Sequence, residues 1–143
     1  ASDVYKRQIK NEVKRILLPL DSTPETRNKL PLAARLAELF DAEVHLQLLY
    51  NSPVKVVRMR MKTYADEAVK CLSEKNIKYV LKESEADNLV RSILDYADES
   101  SADMILIMTE QGATSGNVFL GPYAQQLINN ALIPVLSLKS GSQ

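Results

Sequence analysis

The sequence predicts an α/β domain: a single doubly wound parallel sheet of five strands with helices on both faces. Three observations carry this. Short apolar runs alternate with segments whose apolar residues recur at helical spacing, in the order β-α-β-α-β-α-β-α-β. The run Met104-Ile105-Leu106-Ile107-Met108 is apolar throughout, as in strands buried on both faces. The chain has 143 residues, a length that fits one compact core. The domain is expected to span residues 9–140. Residues 1–8 are polar and without pattern, and are expected to be a disordered or non-native segment.

The elements follow in order. Residues 13–20 form an apolar run closed by Asp21-Ser22-Thr23-Pro24, a buried strand and then a turn. Ser22 with Glu25 matches a capping box, and Pro24 suits a first helical turn. Leu32, Ala33, Leu36, Leu39 and Phe40 recur at helical spacing, and Pro31 either kinks that helix or splits off its first turn. Residues 43–49 are the second strand, broken by Asn51-Ser52-Pro53. Val57, Met61, Tyr64, Ala65, Ala68 and Leu72 mark a long amphipathic helix ending near residues 74–76. Residues 77–82 are a third, more polar strand. Asp87 can cap a helix with Leu89, Val90, Ile93, Leu94 and Ala97 on one face. After the strand at 104–108, residues 109–117 read as loop, 122–131 as a short helix and 133–138 as the last strand. Pro134 lacks a ladder donor, which places that strand at a sheet edge.

Composition narrows the function. Lysine and arginine number 18, as do aspartate and glutamate, so the net charge is zero and a nucleic-acid partner is not expected. No apolar run approaches a membrane span, and the start has no secretory pattern, so the expectation is a cytoplasmic protein without a membrane partner. Cys71 is the single cysteine, which leaves no internal disulfide and no Cys/His zinc cluster. His45 is the single histidine, with no evident triad partners in the sequence, and reads as a packed or surface residue. Lys55, Arg58, Arg60 and Lys62 read as a solvated helical face, with a phosphate or acidic partner as the sharper alternative. Met61 falls on the apolar stripe, and Met59 off it. No paired acid and base supports hydrolysis, so no catalytic residue and no metal ligand is named.

Ligands of such sheets bind beyond the carboxyl ends of the strands, where strand order reverses. That directs attention to residues 21–23, 49–52 and 109–121. Three segments carry a family resemblance: Lys14-Arg15-Ile16-Leu17-Leu18-Pro19-Leu20-Asp21, Ala102-Asp103-Met104-Ile105-Leu106-Ile107-Met108-Thr109, and Phe119-Leu120-Gly121-Pro122 through Ile133-Pro134-Val135-Leu136. In this order the chain resembles the universal stress protein family over residues 13–138. The resemblance implies strand order 3-2-1-4-5, dimerisation through the last edge strand, and in many members ATP or AMP binding.

ATP-binding members carry a motif G-2x-G-9x-G-[S/T], whose glycines let backbone N–H groups reach phosphate oxygens. An overlay anchored on Gly121 puts Met108 and Gln111 at the first two glycines and Pro122 at the hydroxyl. Gly112 and Gly116 lie nearby at other spacings. Asp21 sits where the family uses an aspartate near the adenine or ribose, and Leu49 where an apolar residue flanks the base. The implied nucleotide site is thus drawn from Leu20, Asp21, Ser22, Leu49, Met108, Gln111, Gly112, Gly121 and Pro122. The implied dimer interface is drawn from Ile133, Val135, Leu136 and Leu138.

The leading expectation is a non-enzymatic stress-response module acting as a homodimer and through protein contacts, with a degenerate or altered nucleotide site. The alternative is an ATP- or AMP-binding sensor using the Asp21 turn and the loop 109–121. A weak ATPase or phosphotransferase is a third class, and an electron-transfer flavoprotein-like relative a fourth.

Overall fold

The computed structural model describes residues 13–109 and 122–139. Five strands, β1 (Arg15–Leu20), β2 (Glu43–Tyr50), β3 (Tyr79–Glu85), β4 (Met104–Thr109) and β5 (Val135–Lys139), alternate with four α-helices. These are α1 (Leu30–Phe40), α2 (Lys55–Glu74), α3 (Leu89–Glu99) and α4 (Pro122–Asn130), with a 3-10 segment, Pro24–Lys29, before α1. All strand pairs are parallel and the sheet order is β3-β2-β1-β4-β5, as expected.

Two core layers result from the pleat. On one face Ile16, Leu18, Leu46, Leu48 and Leu106 meet Ala33, Ala34 and Ala37 of α1 and Met61, Ala65, Ala68 and Leu72 of α2. On the other, Leu17, Leu49, Ile105 and Ile107 meet Ile93, Tyr96 and Ala97 of α3 and Ala124 and Leu127 of α4. Consecutive residues Leu17 and Leu18 serve opposite layers and both are wholly buried, which is why these strands read as continuous apolar runs. Small residues on α1 let that helix approach the sheet closely.

Three helices end by one device. Asp41, Asn76 and Ser101 take the left-handed conformation (φ 55°, 57° and 55°). The next residue then donates back into the helix: Ala42 to Ala37, Ile77 to Leu72 and Ala102 to Ala97, at 2.8–2.9 Å. Ala42, Ile77 and Ala102 are buried as the apolar staple of each turn.

That device corrects the third strand. Ile77 belongs to the turn closing α2, so β3 starts at Tyr79 and runs on to Glu85 rather than covering 77–82. Other boundaries shift for local reasons. The cap of α3 is Asn88, whose Oδ1 accepts from the Arg91 N–H at 3.1 Å, and not Asp87. The residue capping the 3-10 segment is Thr23 rather than Ser22, and Thr23 bonds back to Asp21. Pro31 lies in the first turn of α1, where its missing N–H costs nothing, and the preceding turn is split off as 3-10. β2 gains Tyr50, and β5 begins after Pro134, at the sheet edge.

Candidate functional site

Strand order reverses at β1. The chain moves outward from β1 to β2 and β3, then returns to lay β4 and β5 on the other side. The helices after β1 and β4 leave to opposite faces. Such a reversal opens a crevice beyond the carboxyl ends of the two strands.

Pro19 lies beyond the last register pair of β1 with β4. β1 keeps register with β2 from Arg15 to Leu20, but with β4 only at Ile16 and Leu17. The Glu43 N–H donates to the Lys14 carbonyl and the Asp103 N–H to the Arg15 carbonyl. Backbone groups of even residues in β1 therefore face β2, and those of odd residues face β4. Pro19 is odd and has no N–H, so it offers β4 a carbonyl acceptor but no donor.

Lys29, the last residue of the 3-10 segment, reaches into this position and its Nζ donates to the Pro19 carbonyl. The lysine is 2% exposed. Burial pushes its ammonium down to about 8, against a smaller opposing pull from the Asp21 carboxylate. Buried unpaired lysines are rare because dehydration of the charge is costly.

Asp21 forms the adjoining turn. Its Oδ1 accepts from the Thr23 N–H at 2.9 Å and from the Thr23 hydroxyl at 2.6 Å. Its own N–H donates to Oγ1 of the wholly buried Thr26 at 3.1 Å. Oδ2 takes no hydrogen bond from the described residues. Asp21 is therefore a turn former through Oδ1.

The structure brings together only part of the expected site. Leu20, Asp21 and Ser22 follow one another at the carboxyl end of β1, Leu20 buried in the first core layer, and half-buried Met108 is the last residue but one of β4. Leu49 is wholly buried in the second core layer with Leu17 and Ile107. Pro122 starts α4. Gln111, Gly112 and Gly121 lie outside the described residues. Lys29, Thr26 and Pro19 were not expected there. One signal was available: stepping the buried stripe Ala37, Ala33 back by four residues lands on Lys29.

His45 has partners that local spacing did not reveal. Its Nε2 lies 2.6 Å from Glu43 Oε1 and its Nδ1 lies 3.2 Å from the Tyr96 hydroxyl. The ring is buried between β2 and α3, and Arg15 stands 3.6 Å from the same carboxylate. The array has no nucleophile and satisfies a buried polar group. Tyr96→Phe is expected to cost about 1 kcal/mol by leaving Nδ1 unpaired, measured by urea unfolding.

The basic cluster on α2 is partly spent within the fold. Arg58 pairs with both Glu85 oxygens at 2.8 and 2.5 Å, and its guanidinium lies 4.3 Å from the Tyr50 ring centre. Lys62 meets Glu83 at 3.2 Å. The Tyr50 hydroxyl donates to Glu83 at 2.8 Å, and burial together with that carboxylate pushes its phenol up to about 12. Met61 is buried, Met59 is exposed and Cys71 is half-buried.

Hollows are also formed by described residues, the first of them reaching Leu20 and Thr26. One of about 340 Å³ separates the 3-10 segment from α2, walled by Arg27, Tyr64 and Glu67. One of about 680 Å³ lies at the opposite end of the sheet, where Lys14, Lys75 and Lys78 are balanced by Glu38, Asp41 and Glu43. Among the described residues no cluster of three or more His, Cys, Asp or Glu could hold a metal ion. No helix among them is long and apolar enough to cross a membrane.

A sequence model of the universal stress protein family matches residues 12–139, nearly the whole chain. The chain belongs to the universal stress protein family. Its fold is that of other universal stress proteins. A protein of this family from Archaeoglobus fulgidus is 20% identical, with a TM-score of 0.73 over 89% of this chain and 98% of its own. A universal stress protein from the same organism, solved in complex with dAMP, is 19% identical with a TM-score of 0.69 over 89% and 98%. A third, solved in complex with cAMP, is 14% identical with a TM-score of 0.65 over 91% and 99%. No functionally curated protein matches the chain. In this universal stress protein Thr26 and Lys29 are buried with bonds to Asp21 and Pro19 at the carboxyl end of β1, and Met108 is half-buried near the end of β4.

Proposed function

We propose that this chain is a stress-response protein that binds an adenine mononucleotide at the β1/β4 crevice and acts without chemistry on it. The observation that carries the reading is the Asp21 turn, which leaves one carboxylate oxygen at the strand-order reversal. That oxygen suits the paired hydroxyls of a ribose. Complexes of structural neighbours with dAMP and cAMP support a ligand of this class. Met108, Gln111 and Pro122 stand where ATP-binding relatives have two glycines and a hydroxyl, which favours one phosphate over three. The test is chromatography of the acid-soluble extract from purified protein. AMP or a similar mononucleotide is the expected content; bound ATP would overturn the mononucleotide assignment.

A homodimer through β5, presenting a surface to a further protein, is the second part of the reading. The two sheet edges differ. β3 carries Lys82, Glu83 and Glu85 outward, a charged edge that resists pairing. β5 carries Val135, Leu136 and Leu138 beside Ile133, with Leu136 37% exposed, and Ile128 and Leu132 exposed nearby. Leu136→Lys is expected to convert a dimer to monomer in light scattering with little loss of stability. An unchanged mass would exclude this edge.

A further inference from the structure

We propose that Lys29 is the phosphate-binding group of the crevice, holding a phosphate monoester beyond the last register pair of β1 and β4. This rests on the reading above for the nucleoside but not for the phosphate. Four observations support it. Lys29 Nζ donates to the Pro19 carbonyl, two residues beyond the last β1–β4 register pair, Leu17 with Ile105. Among the described residues the ammonium meets that one acceptor, so two of its three N–H donors are unspent. The side chain is 98% covered, in surroundings where an anion gains strongly from a fixed cation. Among the described residues no carboxylate oxygen bonds to it; Asp21, whose charge acts on it, uses Oδ1 for its own turn.

A lysine serving only to fill space here would be poorly chosen, because a methionine fills the same volume without dehydrating a charge. A cation kept dry, at the strand-order reversal, with donors to spare, is arranged for an incoming anion. Lys29 and Asp21 would then address opposite ends of one ligand, the ammonium the phosphate and the carboxylate the ribose. A point charge with rotatable donors replaces the wrapped backbone N–H groups that Met108, Gln111 and Pro122 no longer provide, and it serves a single phosphate better than a chain of three.

The experiment uses the full chain labelled with ¹³C at lysine Cε, and three probes: AMP, adenosine and inorganic phosphate. AMP and inorganic phosphate are expected to shift the Lys29 resonance and raise its titration midpoint; adenosine is expected to do neither. Lys29→Met is expected to weaken AMP roughly tenfold to a hundredfold while leaving adenosine unchanged. Lys29→Gln serves as a second variant, with the same expectation. If AMP and adenosine bind but the Lys29 resonance ignores saturating AMP, the proposal falls and the nucleotide reading stands. If neither nucleoside binds but inorganic phosphate moves Lys29, the proposal stands and the nucleotide reading falls. If no probe moves Lys29, the proposal is overturned. Equal weakening of AMP and adenosine in both variants would also overturn it.

Discussion

Lys29→Met is expected to stabilise the protein at pH 7, by about 2 kcal/mol in chemical denaturation. The ammonium is held at about 8 in the folded chain against 10.5 in the free side chain, chiefly by burial. That difference corresponds to roughly 3 kcal/mol of cost when the group must fold charged. Methionine removes the cost and keeps the volume. It also strips the Pro19 carbonyl of its donor, which returns about 1 kcal/mol. The sign of the pH dependence follows. Below pH 8 folded and unfolded chains both carry the proton, and the cost is present in full. From pH 8 to 10.5 the unfolded chain keeps the proton that the folded chain has lost, so stability rises with pH. The wild-type protein should therefore close the gap to the variant over that window. A variant less stable than wild type at pH 7 would mean that the lysine is a strut joining β1 to the 3-10 segment.

Asp21 separates into two roles that two substitutions distinguish. Asp21→Asn keeps an oxygen for the Thr23 N–H and hydroxyl, so the turn should survive with a stability change under about 0.5 kcal/mol. Asp21→Ala removes that acceptor and should cost about 1 kcal/mol. Both remove the charge proposed to hold the ribose. AMP affinity should fall at least about tenfold in each, corresponding to about 1.4 kcal/mol. Loss of AMP binding in the alanine variant alone would assign the effect to the turn rather than to the carboxylate. Asparagine at this position also withdraws the charge that pulls Lys29 upward, so the lysine midpoint should move lower still.

The fold was legible because its strands are buried on both faces. Runs such as 104–108 then need no alternation to be recognised, and the helices declare themselves by stripes such as Met61, Ala65, Ala68 and Leu72. Pro134 correctly placed β5 at an edge. Boundaries were less legible where a side chain could serve either neighbour. Ile77 is apolar and β-branched, so it read as a strand residue, yet it staples the end of α2 because Asn76 accepts a left-handed turn. The polar groups were the hardest to place. Asp21 was visible as the residue ending the first strand. Lys29 was not, because one lysine before Leu30 and Pro31 looks like an ordinary exposed residue until the stripe of α1 is extended backwards. The partners of His45 depend on Tyr96, 51 residues away, which no local pattern could supply.

These pieces make one account. The Pro19 carbonyl near the end of β1 takes the buried Lys29 ammonium, and the Asp21 turn follows directly on that strand. The measurement that tests this most directly is calorimetric titration of AMP into the full chain, with ATP and Mg²⁺ in parallel. The account predicts saturable heat with AMP in the micromolar range and weaker binding of ATP. Folded protein that gives no heat with millimolar AMP would contradict it, and would leave the β5 edge as the surface through which this protein acts.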